Sequence, residues 1–231
     1  MNISIIIPCF NEVLTIEKVV RNVKNFVESY DYEIIIIDDG STDGTREIIN
    51  NKLDKSNIKI YLNDKNYGKG FSVRKGIELS SKEIILIQDA DLEYDPSDYK
   101  KLLKPIIKNN ADVVFGSRFV GSSEKRVLYF WHRLGNLFLT ILSNMCSNLN
   151  LTDMENGYKV FKKDSIKNIN LKENRFGFEP EITAKIAKKN LKIYEVGVKY
   201  YGRKYSEGKK ITWKDGFSAL RCIIYYNFFS N

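Results

Sequence analysis

Two acidic pairs stand where buried strands are predicted to end. Asp38 and Asp39 follow one apolar run, and Asp89 and Asp91 follow another about fifty residues later. Polar groups at the carboxyl ends of parallel strands face the crevice where α/β proteins bind ligands. Side chains at positions i and i+2 of an extended segment point the same way, so Asp89 and Asp91 form a cluster of hard oxygen ligands. Such ligands suit Mg²⁺ or Mn²⁺, which can bridge to diphosphate oxygens.

Each acidic pair also has a plainer interpretation. As ligand-binding residues, Asp38 and Asp39 would hydrogen-bond a ribose or a base. The plainer interpretation is that they cap the turn and helix start at residues 40–45. Asp89 and Asp91 can belong to a solvated acidic loop before a helix, and Glu93 extends their acidic face two residues further. For Asp89 and Asp91, placement after a buried strand, about fifty residues beyond another acidic strand end, favours the ligand-binding interpretation. The pair Asp38 and Asp39 is by itself a weak signal.

The elements that must position these carboxylates alternate between strands and helices over the first 120 residues. Short apolar runs predict strands at 3–8, 34–37, 58–62, 84–87 and 113–116. Apolar residues at helical spacing predict helices over 16–27, from Asp43, over 69–80 and over 97–108. Repeated β-α units with continuously apolar strands predict an α/β fold, with a mainly parallel sheet covered by helices on both faces.

The second half of the chain has a different pattern. An apolar stripe over residues 134–149 predicts an amphipathic helix, which either packs on the domain or lies at a membrane interface. Arg126 and Arg133, beside the aromatic residues 129–131, support the interfacial alternative. A further helix over 179–189, a strand over 193–198 and a basic, aromatic carboxyl-terminal segment complete the prediction.

The composition excludes several classes of site. The 231 residues carry a net charge of +8, which makes anionic partners plausible, but no recognised nucleic-acid motif accompanies the lysines and arginines. Three scattered cysteines predict neither a disulfide framework nor a zinc cage, and the single histidine, His132, excludes histidine-based metal sites. With no predicted signal peptide or membrane-spanning run, we expect a soluble or peripheral cytoplasmic protein.

A set of motifs in a fixed order resembles the family-2 glycosyltransferases of the GT-A fold. The motifs are IIIPCFNE at 5–12, DDGSTDGT at 38–45, NYGKG at 66–70, DAD at 89–91 and GSRF at 116–119. The branch most similar to this chain is that of the dolichyl-phosphate mannose synthases and polyprenyl-phosphate glycosyltransferases. That similarity continues through DMENGYK at 153–159, RFGFE at 175–179 and the basic segment 203–210, and so covers nearly the whole chain.

The resemblance implies a role for particular residues. The nucleotide sugar would be bound by Pro8, Phe10, Glu12, Asp39, Gly68, Lys69, Gly70, Asp89, Asp91 and Arg118. Asp89, Asp91 and Glu93 would hold Mg²⁺ or Mn²⁺, although related synthases often have glutamine in place of Glu93. Arg118 would contact the donor phosphates during catalysis together with Asp91. The acceptor phosphate would be met by Arg133, Arg203, Lys209 and Lys210.

The resemblance implies a single GT-A domain over 1–231, with a nucleotide-sugar half at 1–120 and an acceptor-side half at 121–231. The preferred reaction is inverting transfer of a hexose from GDP-mannose or UDP-glucose to a polyprenyl (dolichyl-type) phosphate. A rival is transfer to a saccharide hydroxyl, for which Asp153 or Glu155 lies near the expected base position. A second rival is a non-catalytic, nucleotide-binding membrane scaffold.

The expected partners follow from the preferred reaction. They are the nucleotide-sugar donor, the lipid-phosphate acceptor, a membrane surface on its cytoplasmic face and, conceivably, a membrane-anchor protein. Nucleic acid is not expected.

Overall fold

The computed structural model describes residues 2–121, 126–127, 129–203 and 213–230. The first half contains β1 (Asn2–Cys9), β2 (Asp31–Asp38), β3 (Ile58–Leu62), β4 (Ile84–Ile87) and β5 (Val113–Ser117). The helices between them are α1 (Ile16–Val27), α2 (Thr45–Asn51), α3 (Lys69–Leu79) and α4 (Tyr99–Ile107). All nine predicted elements are present. The helix expected over 97–108 is shorter, because a 3-10 turn over Pro96–Asp98 precedes it.

The second half contains α5 (Phe130–Ser147), β6 (Lys159–Lys162), α6 (Lys163–Ile166), α7 (Phe178–Ala187), β7 (Ile193–Gly197) and α8 (Trp213–Phe228). The amphipathic helix predicted over 134–149 begins four residues earlier and ends two residues earlier than expected. Strand β6 and helix α8 were not predicted. The sequence of β6 is KVFK, and a short segment with a lysine at each end lacks the apolar run by which the other buried strands were recognised.

One seven-stranded sheet joins both halves, with strand order β3-β2-β1-β4-β6-β5-β7. Only β6 is antiparallel to its neighbours, β4 and β5. The pairing of Cys9 with Asp38 brings the carboxyl ends of β1 and β2 to one edge, and β4 ends beside β1 at the pair Ile6 and Ile87. This register confirms the predicted fold class and gathers the acidic strand ends at a single edge.

Helices cover both faces of the sheet. Alternate residues of β1 belong to opposite layers of the core: Ile3, Ile5 and Ile7 pack with α1, whereas Ile6 packs with Val73 of α3 and with α7. Isoleucine residues on both faces of β1 are therefore the natural composition for a strand that is buried on both sides. Gly76 of α3 lets that helix approach the sheet, because a Cβ there would lie 2.3 Å from the side chain of Ile6.

Helices α5, α7 and α8 pack together beside the sheet edge where the acidic strands end. Of α5, only Thr140 and Ser143 are buried, while most of its large apolar side chains face outward. Among the described residues, no helix combines the length and the apolar character that crossing a membrane requires.

Candidate active site

A cavity of about 1030 Å³ opens at the carboxyl edge of the sheet. Thirteen of the residues predicted for the site line it: Pro8, Phe10, Glu12, Asp39, Gly68, Lys69, Asp89, Asp91, Glu93, Arg118, Arg133, Glu155 and Arg203. Gly70 and Asp153 are not among the lining residues, and Lys209 and Lys210 lie outside the described residues. Residues from both halves of the chain thus share one cavity.

Asp39 organises the loop that follows β3. Its Oδ2 accepts a hydrogen bond of 2.7 Å from the backbone N–H of Gly68, and its Oδ1 accepts bonds from the Tyr67 N–H and the Asn63 amide. This buried carboxylate therefore stabilises the start of α3 as well as lining the nucleotide side of the cavity.

The two glycines of the NYGKG motif serve close packing. A Cβ on Gly68, whose φ is +107°, would lie 2.4 Å from the carbonyl oxygen of Asn174, and one on Gly70 would lie 2.4 Å from that of Glu173. The segment 173–175 therefore rests directly on the amino-terminal end of α3. For Gly70 the structure shows this contact rather than the approach to the donor that the resemblance implies.

Lys69 links the DxD motif to the second half of the chain. Its ammonium group lies 2.9 Å from Asp89 Oδ1 and 3.0 Å from Glu179 Oε1. Burial opposes the charge on Lys69, but the two carboxylates outweigh it and hold its pKa well above the ordinary value. Lys69 is thus a fixed cation between two acidic groups.

Asp91 and Glu93 are held by the chain segment around residue 200. Arg203 places its guanidinium 3.1 Å from Asp91 Oδ2 and 3.2 Å from Glu12 Oε1. Glu93 accepts hydrogen bonds from the Tyr200 hydroxyl and the Arg203 backbone N–H, one at each carboxylate oxygen. Arg203, predicted to meet the acceptor phosphate, pairs with the acidic residues Glu12 and Asp91 in this structure.

Asp91 lies beside two other carboxylates, those of Asp89 and Glu93. Burial raises the pKa of Asp91 to about 7, and the neighbouring Glu93 and Asp89 add to that effect against the opposing charge of Arg203. Among the described residues, no group of three or more histidine, cysteine, aspartate or glutamate side chains is arranged to hold a metal ion. Asp89 and Asp91 are two neighbouring carboxylates that pair with Lys69 and Arg203 in this structure.

Arg118 forms a bidentate salt bridge with Asp153. Two hydrogen bonds join them, from Arg118 Nε to Asp153 Oδ2 at 2.7 Å and from Nη2 to Oδ1 at 2.6 Å, and the backbone N–H of Arg118 adds a third. Burial alone would raise the pKa of Asp153, but Arg118 outweighs it and lowers that pKa. Asn136 of α5 also donates to Asp153. This geometry makes Asp153 a positioning residue for Arg118.

Glu155 differs from Asp153 in its place in the cavity, its hydrogen-bond partners and the direction of its pKa shift. It lines the cavity, and its Oε1 has no hydrogen-bond partner among the described residues. Burial raises the pKa of Glu155 to about 8, with a further contribution from the charge of Glu179. Of the two candidates for a general base, Glu155 is therefore the one whose environment fits.

Arg133, on α5, also lines the cavity. It is exposed, its guanidinium carbon lies 5.7 Å from the ring centre of Phe119, and no carboxylate among the described residues pairs with it. Its neighbours on α5, including Trp131 and Leu139, also line the cavity. The residues that α5 contributes to the cavity lining therefore combine a cation with apolar side chains.

Several lining residues were not singled out from the sequence. They are Tyr94, Trp131, His132, Gly157, Arg175, Phe176, Glu179 and Tyr200. Two motifs of the resemblance, at 153–159 and 175–179, contain Gly157, Arg175, Phe176 and Glu179, so those motifs were the available signal. Gly157 is closest to the acidic pair, since a Cβ there would lie 2.2 Å from Asp89 Oδ2.

The fold and the site together define a nucleotide-diphospho-sugar transferase of the GT-A class: a mainly parallel sheet with acidic strand ends, a DxD pair and an arginine facing one cavity. Residues 4–169 match the model of glycosyl transferase family 2, which is most of the chain. The chain belongs to that family, and the prediction of a glycosyltransferase is confirmed over that of a non-catalytic scaffold.

Named relatives and solved structures agree with this assignment. The chain is 31% identical to a UDP-N-acetylglucosamine–dolichyl-phosphate N-acetylglucosaminyltransferase of Methanococcus voltae, over 94% of this chain and 93% of that protein. It is 27% identical to a dolichol-phosphate mannosyltransferase of Pyrococcus furiosus, over 91% of this chain but 61% of that protein. Glucosyl-3-phosphoglycerate synthase from Mycobacterium tuberculosis, crystallised with Mn²⁺, UDP and phosphoglyceric acid, has the same fold. Its TM-score is 0.77 at 16% identity, covering 98% of this chain and 78% of that one.

Proposed function

We propose that this glycosyltransferase transfers a hexose from a nucleotide sugar, GDP-mannose or UDP-glucose, to the phosphate of a polyprenyl lipid. The observation that carries the proposal is the make-up of the cavity. Its lining includes Asp89 and Asp91, which we assign to the donor, together with the exposed Arg133 and apolar side chains of α5. A lipid phosphate has a matching anionic head and apolar tail. The similarity to two enzymes named for dolichyl phosphate supports the same acceptor.

The donor end fits a divalent cation, Mg²⁺ or Mn²⁺. Asp89 and Asp91 would hold it. In this structure their carboxylates pair instead with the cations Lys69 and Arg203. The chemistry that such an ion supplies is neutralisation of charge on the departing nucleoside diphosphate. Glu93 accepts hydrogen bonds from the Tyr200 hydroxyl and the Arg203 N–H, and we assign it to holding the segment around those two residues.

The residues of this chain supply the remaining work in an inverting, single displacement. An acceptor phosphate oxygen forms a bond to the anomeric carbon of the sugar, and the bond from that carbon to the nucleoside diphosphate breaks. Arg118, oriented by Asp153, stabilises the charge that develops on the leaving diphosphate. The acceptor phosphate is already largely ionised at neutral pH, since its second pKa is about 6, and it needs no strong base.

A second candidate function is transfer to a saccharide hydroxyl, which Glu155 favours. A hydroxyl must lose a proton during attack, and the carboxyl of Glu155 has a pKa of about 8 inside the cavity. The two functions differ in how Glu155→Gln behaves. A lost general base gives a rate that recovers as the pH rises, whereas transfer to a phosphate shows no such recovery.

We propose that the two halves of the single domain divide the reaction, with residues 1–120 binding the donor and 121–231 the acceptor. In this arrangement the enzyme is peripheral on the cytoplasmic face of a membrane. Helices α5 and α8, which are in contact, would lie on the lipid. A separate membrane-anchor protein is compatible with this arrangement and is part of the proposal.

The proposed contact with lipid rests on large apolar side chains that face outward from both helices. On α5, Trp131 is 76% exposed and Phe138 is 59% exposed; on α8, Phe217 and Phe228 are exposed to a similar degree. Exposed apolar surfaces of this kind mark sites where proteins or membranes bind. A membrane fits best here, because the same helix α5 lines the cavity that would receive the lipid phosphate.

Phe138→Glu should weaken binding to anionic vesicles by about tenfold. The change removes apolar area that the membrane would bury and adds a negative charge at the lipid surface. The measurement is co-flotation with vesicles of phosphatidylglycerol and phosphatidylcholine at increasing salt. Phe26→Glu is the matched control, because Phe26 is 43% exposed on α1, which has no extensive contact with α5 or α8. Equal losses in the two variants, or no vesicle binding by the wild type, would remove the membrane-facing role of α5.

The proposed reaction is tested with a donor panel. Purified enzyme is given UDP-glucose, GDP-mannose or UDP-N-acetylglucosamine together with a polyprenyl phosphate, with Mg²⁺, Mn²⁺ or EDTA. We expect one donor to be used in preference to the others and EDTA to stop transfer. Transfer from none of these donors to the lipid would contradict the proposed reaction.

A further inference from the structure

Glu179 is a buried carboxylate in the wall of the cavity that the proposed reaction does not yet use. It lies in the first turn of α7, and its residue is 3% exposed. One carboxylate oxygen, Oε1, pairs with Lys69, while the other, Oε2, has no hydrogen-bond partner among the described residues. Buried polar atoms in folded proteins nearly always have a partner. An orphaned oxygen in the wall of a binding cavity therefore marks a position where a ligand supplies the donor.

The position of Glu179 indicates which part of a ligand it meets. The Lys69 ammonium contacts both Asp89 and Glu179, so a single ammonium group separates the two carboxylates. With the diphosphate of a nucleotide sugar held at Asp89, the next atoms along the donor are those of the sugar ring. The ring hydroxyls then come within reach of Glu179.

The charge of the surroundings restricts the ligand further. An ionised carboxylate only accepts hydrogen bonds, so the group opposite Oε2 must be a donor such as a hydroxyl. Glu155 lines the same cavity, and the negative charge of Glu179 helps to raise the pKa of Glu155, which shows that Glu179 disfavours a second negative charge beside it. A second anionic group is therefore poorly tolerated here, whereas a neutral, hydroxyl-rich ring is suited to the site.

We propose that Glu179 binds hydroxyl groups of the donor's sugar ring, and that this contact selects neutral hexoses over sugar acids. The inference rests on the proposed function, because it requires a nucleotide-sugar donor. Lys69 fixes the carboxylate in place, so that the sugar and the diphosphate are positioned by one connected set of side chains.

The test compares binding of a nucleotide sugar with binding of its nucleoside diphosphate. Wild type and Glu179→Gln are titrated by calorimetry, with Mn²⁺, against UDP-glucose and UDP and against GDP-mannose and GDP. In the variant the amide oxygen faces Lys69, so the amide NH₂ faces the sugar and the acceptor is lost. We expect about tenfold weaker binding of the preferred nucleotide sugar, with the diphosphate within about twofold of wild type.

Glu33→Gln is the matched control. Glu33 is also a buried carboxylate that pairs with a lysine, Lys59, but it lies on β2 and does not line the cavity. This variant should bind both ligands as the wild type does. Glu179→Asp keeps the charge opposite Lys69 but withdraws the carboxylate, and is expected to show the same selective loss if the glutamine variant does not fold.

A second arm uses the uronic-acid counterpart of the preferred donor. Wild type should bind it at least about tenfold more weakly than the neutral hexose, and Glu179→Gln should narrow that gap. Equal weakening of nucleotide sugar and diphosphate, or no change in either, would overturn the assignment of Glu179 to the sugar. Failure of the wild type to bind any nucleotide sugar would instead overturn the proposed function itself.

Discussion

Asp89→Asn and Asp91→Asn are expected to lower the rate of sugar transfer by about 10³-fold each while leaving the fold intact. The amide keeps the shape of each side chain and removes the charge on which binding of a divalent cation depends. The remaining network limits the structural damage, because Lys69 still pairs with Glu179 and Arg203 still pairs with Glu12. The loss is measured as initial rates at saturating Mg²⁺ or Mn²⁺, with Mn²⁺ affinity measured alongside.

Asp112→Asn is the matched control for these two variants. Asp112 pairs with Lys162 and directly precedes β5. It therefore lies at the amino-terminal end of that strand, whereas the cavity lies at the carboxyl ends of the parallel strands. Its substitution should leave both the rate and Mn²⁺ affinity close to wild type. If Asp89→Asn and Asp91→Asn retained nearly full activity and Mn²⁺ binding, this acidic pair would not be the metal site.

Arg118→Ala should lower kcat by about 10²–10³-fold, by analogy with the loss of one preorganised donor to a developing negative charge. Asp153 already holds the guanidinium by two hydrogen bonds, so little reorganisation is needed when the leaving group acquires its charge. Asp153→Asn should cause a smaller loss, because Arg118 remains but is less firmly oriented. The measurement is single-turnover kinetics with the preferred donor, together with the pH profile of each variant.

Arg21→Ala, an exposed arginine on α1, serves as the control for loss of a positive charge. For Asp153→Asn, the informative outcome is the shape of the pH profile. A deficit that is constant with pH agrees with positioning of Arg118. A rate restored at high pH would show that Asp153 acts as a general base. Normal kinetics of Arg118→Ala would show that Arg118 does not stabilise the leaving group.

The fold was largely predictable because its strongest signals are local. The parallel strands of the first half are short, mostly apolar runs, and the acidic residues after β2 and β4 need only the rule for parallel sheets to be placed at one edge. Strand β6 escaped prediction because its stability comes from pairing with β4 and β5 rather than from its own composition. The carboxyl-terminal helix α8 had only a basic, aromatic composition to identify it.

The candidate site was predictable in its membership and less so in its contacts. Arg203 and Glu12 are 191 residues apart in the chain, and no local pattern could show that they are partners. Asp153 and Glu155 were equivalent as candidate bases in the sequence. The structure distinguishes them, because Arg118 lowers the pKa of Asp153 whereas burial raises the pKa of Glu155 to about 8. Glu179 was recognised only as the last residue of the RFGFE motif and as the start of a helix, where an acidic residue is ordinary. Its contact with Lys69 depends on how α7 packs against α3.

The most direct test of the proposed function compares a polyprenyl phosphate with the polyprenol of the same chain length as acceptors. A soluble oligosaccharide forms the third arm, and all three receive the same radiolabelled donor with Mg²⁺ or Mn²⁺. The account predicts that label enters the lipid only when the phosphate is present, and that Arg133→Ala weakens use of this acceptor with donor binding preserved. Transfer to the oligosaccharide or to the polyprenol, with none to the polyprenyl phosphate, would contradict it.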